Sequence, residues 1–110
     1  MAYIASHRFA RISPTKARLV SDMVRGMPVD EALTALDFSK RRGAWYLKSV
    51  LKSAIANAEE QEADVAGLVV TRTWVDEGPT IKRFQPKDRG RAHPIRKRTS
   101  HLHVEVGPKA

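Results

Sequence analysis

The stretch from Pro79 to Arg98 constrains the fold more than any other. Of its 20 residues only Ile81, Phe84, Ala92 and Ile95 are apolar, and from Lys82 to Arg98 eight basic side chains face a single acid, Asp88. Fixing the backbone of one residue costs about 1 kcal/mol or more, whereas fully burying an apolar side chain contributes only ~2 kcal/mol. Four apolar groups cannot hold this stretch in place, so it is no part of a packed core and its order must come largely from a partner. A structureless connection of that length inside a compact domain is also uncommon. With the turn residues Pro86 and Gly90 near its middle, the expected shape is a long β-hairpin arm over residues 79–98.

The remainder is a different kind of chain. The formal charge of the 110 residues is +8, of which +7 lies between Lys82 and Arg98; the other residues carry 12 basic and 11 acidic groups. A nearly neutral body with a cationic extension is the layout of a folded module that reads a polyanion. With 42% hydrophobic residues a core is available, and the length suggests one domain, 1–110, that includes the arm. Without cysteine there is no disulfide, thiolate zinc site or cysteine nucleophile. The longest apolar run, Gly67-Leu-Val-Val70, is far too short to span a membrane, and Met1 to Arg11 lacks the apolar stretch of a secretory leader, so no membrane partner is expected.

Within the body, Ser13-Pro14 joins an N-cap hydroxyl to a proline at the first helical position, and Ala17, Val20, Met23, Val24 and Met27 follow at helical spacing, with Gly26 placed to close the helix. A short second helix is predicted from Asp30 as N-cap, with Ala32, Leu33 and Leu36 inward, ending near Asp37-Phe38-Ser39. The third runs from Arg41 or Arg42 to about Glu60 behind a wide stripe of Ala44, Leu47, Val50, Leu51, Ala54, Ile55 and Ala58. Beyond Asp64 the period becomes two: Leu68, Val70, Arg72 and Trp74 alternate with Val69, Thr71, Thr73 and Val75 up to the turn Asp76-Glu-Gly-Pro79. Leu102, Val104 and Val106 alternate with His101, His103 and Glu105 in a last strand, and Tyr3 to Ile12 forms a first one with blurred alternation. The predicted fold is α+β: three helices on a small three-stranded antiparallel sheet, in the order β-α-α-α-β-β with the arm before the last strand.

Arginine offers phosphate a planar donor fork, lysine offers a point charge, and neutralised phosphates release counterions, so nucleic acid is a better partner than an anionic membrane surface. Folded RNA fits better than DNA. No helix carries a base-reading set, and Phe84 is the one aromatic in the basic strip, so contact is expected with RNA backbone and shape. Cations in the first turn of a helix oppose its dipole, so Lys40-Arg41-Arg42 reads either as plain surface charge or as a place where phosphates dock on the exposed N–H groups and offset that cost. Together with Arg8, Arg11, Lys16 and Arg18 these residues would form a second, shallower RNA-facing patch.

Other constellations are weaker. His101 and His103 share a strand face, but a metal site would need Glu105, His93 or His7 as well, and a polar face or RNA contact fits better. Glu59, Glu60, Glu62 and Asp64 read as solvated acids at a helix exit. Ser6-His7 and Ser100-His101 have no acid placed to orient the histidine, so no catalytic residue, enzyme activity, metal or cofactor is expected. Trp45, Tyr46 and Trp74 are assigned to the core or its edge. The rival reading is a stand-alone RNA-annealing or DNA-binding module, which would bind isolated duplexes well.

Ile12-Ser-Pro-Thr-Lys-Ala-Arg-Leu-Val20, Val24-Arg-Gly26, Ser53-Ala-Ile-Ala-Asn-Ala58, Val75-Asp-Glu-Gly-Pro79, Lys82-Arg83, Arg89-Gly-Arg-Ala92 and Lys97-Arg-Thr-Ser-His101 lie in order along nearly the whole chain. With these blocks the sequence resembles the large-subunit ribosomal protein family numbered twenty-two, bacterial type. The resemblance implies a cytoplasmic, ribosome-bound structural protein that contacts large-subunit ribosomal RNA and neighbouring ribosomal proteins and supports subunit assembly. It implies further that the arm lines the nascent-peptide exit tunnel and meets the nascent chain at its tip, Pro86, Lys87, Asp88, Arg89, Gly90, Arg91 and Ala92. Carried over residue by residue, Lys82, Arg83, Arg89 and Arg91 match the arm, Lys97, Arg98, Thr99, Ser100 and His101 the returning strand, and Arg11, Ser13, Lys16, Arg18 and Arg25 RNA-facing body positions. Lys87 and Arg96 join the RNA-binding set through their charge within the strip. The chain departs from the family pattern at Lys87-Asp88 and at His93-Pro94, where proline is unexpected in a ladder.

Overall fold

A computed structural model describes residues 2–86 and 92–108. In chain order the elements are β1 (Tyr3–Ala10), α1 (Pro14–Val24), α2 (Val29–Phe38), α3 (Arg42–Glu60), a short 3-10 turn (Val65–Gly67), β2 (Leu68–Glu77), β3 (Ile81–Pro86), β4 (Ala92–Lys97) and β5 (Ser100–Pro108). The start of α1 is as read from Ser13-Pro14: the Ser13 hydroxyl accepts from the Lys16 N–H and Pro14 takes the first turn, where no N–H is missed. Gly26, at φ +84°, closes it in the left-handed region and gives its N–H to the Val70 carbonyl at 2.9 Å.

The three helices cover one face of an antiparallel sheet of order β1-β5-β2, an α+β architecture. β5 lies in the middle, and its inward residues Leu102, Val104 and Val106 are among the most buried in the protein. They meet Leu47, Leu51 and Ala54 of α3, Val20 and Val24 of α1, and Ala32 and Leu36 of α2 in one core. Two buried hydroxyls there satisfy each other: Ser21 Oγ lies 3.0 Å from Thr73 Oγ1, which also donates to the His103 carbonyl. On the outer face Trp74 stacks on His103, whose ring nitrogens face Ser6 Oγ at 2.7 Å and Asp76 at 3.1 Å.

Several expectations are corrected. Helix α2 is capped by Pro28, not Asp30, because proline's fixed φ already starts the helix; Asp30 and Glu31 fall in its first turn, where acids suit the dipole. The alternation of β2 breaks at a bulge between Val70 and Arg72, so Leu68 and Val70 are buried and then Thr73 and Val75, while Arg72 and Trp74 turn outward. A second bulge, between His7 and Ala10, interrupts β1 and holds Phe9 at φ +60° with its side chain exposed, and the strand ends at Ala10 rather than Ile12. Met23 sits 39% exposed rather than in the core, since α1 buries only its Ala17, Val20, Ser21 and Val24 side. Trp45 is exposed as well, because α3 buries Ala44, Tyr46 and Leu47 around it.

The arm is a separate two-stranded antiparallel ribbon with Ile81 opposite Lys97 and Pro86 opposite Ala92. Pro94 sits in this ladder opposite Phe84; each strand of a two-stranded ribbon has an open edge, where a missing N–H is tolerated. The ribbon continues β2 and β5, with three residues, 78–80, set against two, 98 and 99, between the pairs Glu77–Ser100 and Ile81–Lys97. At this root Gly78 donates its N–H to the Thr99 carbonyl at 2.9 Å and Thr99 Oγ1 donates to the Pro79 carbonyl at 2.6 Å. A Cβ on Gly78 would stand 2.4 Å from Thr99 Oγ1. The molecule is 62 Å long and 24 by 19 Å across, and α3 at ~1.5 Å per residue accounts for less than half of that length.

Candidate nucleic-acid interface

Where the β1–α1 connection, the start of α3 and the return of the arm meet, a pocket of about 580 Å³ is lined by Arg11, Ile12, Ser13, Lys16, Arg41, Arg42, Gly43, Lys97 and Arg98. Six of these nine are cations, and no acid lines the pocket among the described residues. Two helices begin here. Ser13 caps α1, whereas Arg41 occupies the N-cap of α3 with no side-chain cap and no acid in the first turn. The free N–H groups and positive dipole end of α3 thus add to the field of the arginines. Such a concentration of like charge is unfavourable alone and is relieved by an anion.

The assembly has internal supports. Ser100, fully buried, donates its hydroxyl to the Ile12 carbonyl at 2.6 Å and pins the strand entering α1 to β5. Arg98 is held at 3.1 Å by Glu77, an exposed pair that steers the side chain more than it stabilises the fold. The bulge at Phe9 is fastened by its N–H donating to His101 Nδ1 at 3.0 Å.

Over residues 5–107 the sequence matches the family described as Ribosomal protein L22p/L17e. The chain belongs to this family. An L22p/L17e protein is a structural, ribosomal-RNA-binding component of the large ribosomal subunit, in a family whose work is structural rather than enzymatic.

The L22p/L17e structure distributes the expected site residues unevenly. Arg11, Ser13, Lys16, Arg41, Arg42, Lys97 and Arg98 converge on the pocket, and Lys40 is exposed beside it. Arg18 and Arg25 do not join them: they donate to the carbonyls of Val75 at 3.2 Å and Thr73 at 2.9 Å on β2, and Arg25 also pairs with Asp22. Arg8 is exposed on β1. Thr99 and Ser100 are buried, with their hydroxyls committed inside the protein. On the ribbon Lys82 lies opposite Arg96 and Arg83 opposite Ile95; Pro86 ends β3 and Ala92 begins β4. Lys87, Asp88, Arg89, Gly90 and Arg91 lie outside the described residues. His101 and His103 are engaged by Phe9, Ser6 and Asp76, and no group of three or more metal-ligating side chains occurs among the described residues. Ile12 and Gly43, which wall the pocket, carry no charge and so gave no signal in the sequence.

Proposed function

We propose that the chain is the bacterial form of the family, acting as one domain, 1–110, in cytoplasmic large subunits. There the pocket clamps the phosphates of a ribosomal RNA strand and the arm, 79–98, threads into folded RNA. The arm lines the exit tunnel, its tip meets the nascent peptide, and the body supports subunit assembly beside neighbouring ribosomal proteins. The observation that carries the reading is the convergence of Arg11, Lys16, Arg41, Arg42, Lys97 and Arg98, drawn from three distant parts of the sequence, on one pocket at two helix starts. Arg18, Arg25, Thr99 and Ser100 serve this interface by positioning its elements.

The test is a comparison of the wild-type chain with Arg11→Gln/Lys16→Gln/Arg41→Gln for binding to large-subunit ribosomal RNA across a salt series, together with sedimentation against ribosomal subunits. If each cation holds one phosphate, the log–log salt slope falls by about 0.7–0.9 per substitution, and the protein travels with the large subunit. An unchanged slope would remove the pocket from the interface. Equal affinity for any isolated duplex, without co-sedimentation, would favour a stand-alone annealing or DNA-binding module.

A further inference from the structure

Trp45 is 64% exposed although it is one of the largest apolar side chains available to the core. The ring is nonetheless held at a defined angle. Its contact with Tyr46 is perpendicular, 4.9 Å between centroids at 76°. Tyr46 is itself buried, meets His7 edge-on at 5.4 Å, and carries the Arg42 guanidinium 5.6 Å over its ring. A single perpendicular neighbour covers at most one face of an indole, so a flat apolar face stands open to solvent on a rigid support.

The position of this face matters. Trp45 follows Arg41 by four residues and Arg42 by three, so the three side chains are neighbours on the surface of α3, and both arginines line the cationic pocket. A strand whose phosphates lie between these arginines passes the indole within one helical turn. Every nucleobase has a π-face, and unpaired RNA bases are commonly read by stacking on aromatic side chains. Of the other aromatic side chains with exposed surface among the described residues, Trp74 is stacked on His103 and Phe9 packs edge-on against His101, while Phe38, 83% exposed, ends α2 and so does not share α3 with Arg42 as Trp45 does.

We propose that Trp45 is a stacking platform for an unpaired base of the RNA strand that the pocket holds. This rests on the phosphate-clamp reading and deepens it, since the preferred ligand becomes a loop or bulge with a splayed base in place of a continuous duplex.

The chain has two tryptophans, so a Trp74→Phe variant leaves Trp45 as the sole indole emitter. Its emission is followed on titration with a ten-residue oligoadenylate and with an abasic ribose-phosphate oligomer of the same length and charge. The expected result is quenching by the oligoadenylate alone, with about tenfold tighter binding than the abasic oligomer. Trp45→Leu, read by filter binding in the otherwise native chain, should erase that tenfold advantage and leave abasic affinity unchanged. Equal affinity for the two oligomers, or an advantage that survives Trp45→Leu, overturns the stacking site while leaving the phosphate clamp intact. Binding of neither oligomer overturns both. Should Trp74→Phe fail to fold, the Trp45→Leu comparison decides alone.

Discussion

Single atoms decide how the arm leaves the body. Gly78 has no Cβ, and the space one would fill is taken by Thr99 Oγ1 at 2.4 Å, with the Thr99 backbone at 3.2–3.3 Å behind it. Because part of this obstacle is backbone, it cannot rotate aside. Gly78→Ala is expected to destabilise the body by about 1–3 kcal/mol, as overpacked sites generally do, seen as a lower thermal midpoint. Loss of the Thr99–Pro79 hydrogen bond should appear with it as a shifted Thr99 amide resonance. An unchanged midpoint would show that the root is slack. Ser100→Ala makes a complementary case: it orphans the Ile12 carbonyl in a fully buried place and should cost about 1–3 kcal/mol, while the salt slope of RNA binding stays as in the wild type because the hydroxyl touches no phosphate.

At the scale of elements, α3 opposes stability to function. An arginine in the N-cap and another in the first turn, with no side-chain cap, is a poor helix start. Arg41→Asp supplies a preferred cap and reverses the charge at the positive dipole end, so the free protein should gain about 0.5–1 kcal/mol in denaturant unfolding while RNA affinity falls. A loss of both together would mean that Arg41 has a structural part to play in the fold. The elements also differ in how far they could be read in advance. Helix α1 announced itself through Ser13-Pro14 and Gly26, and α3 through a stripe from Ala44 to Ala58, because those signals are local. The bulges at Thr71 and Phe9 were hidden, since one extra residue in a strand leaves no mark in composition and is fixed by pairing with β5. Trp45 was misjudged because apolar residues surround α3 so widely that its buried arc cannot be separated from its margins by pattern alone. Charge revealed the pocket's cations one by one, but only the fold gathers them in one place.

For the molecule as a whole, body and arm are separable in design: among the described residues the core cluster lies in the helices, the β1-β5-β2 sheet and Ile12 between β1 and α1, and the ribbon is a sheet of its own. Deleting Lys82 to Ile95 and closing the gap with Asn-Gly should leave a cooperative folded body with residual RNA affinity through Arg11, Lys16, Arg41 and Arg42. Unfolding of that variant, read by circular dichroism, would place the arm within the core. Complete loss of RNA binding would demote the pocket. In the intact protein, about six phosphate contacts imply a fall of roughly 10³ in affinity between 50 and 200 mM salt, and a flat response would contradict the clamp.

The central place of β5 also governs when the protein can exist. Tyr3 pairs with Val106, so β1 must wait for β5, and β1 and β2 are joined only through β5, which lies between them. At translation rates of about 5–20 residues per second that wait is roughly 5–20 s. Until β5 pairs, the apolar face of the sheet and the cationic ribbon made before it are open together to whatever chaperone or RNA arrives first.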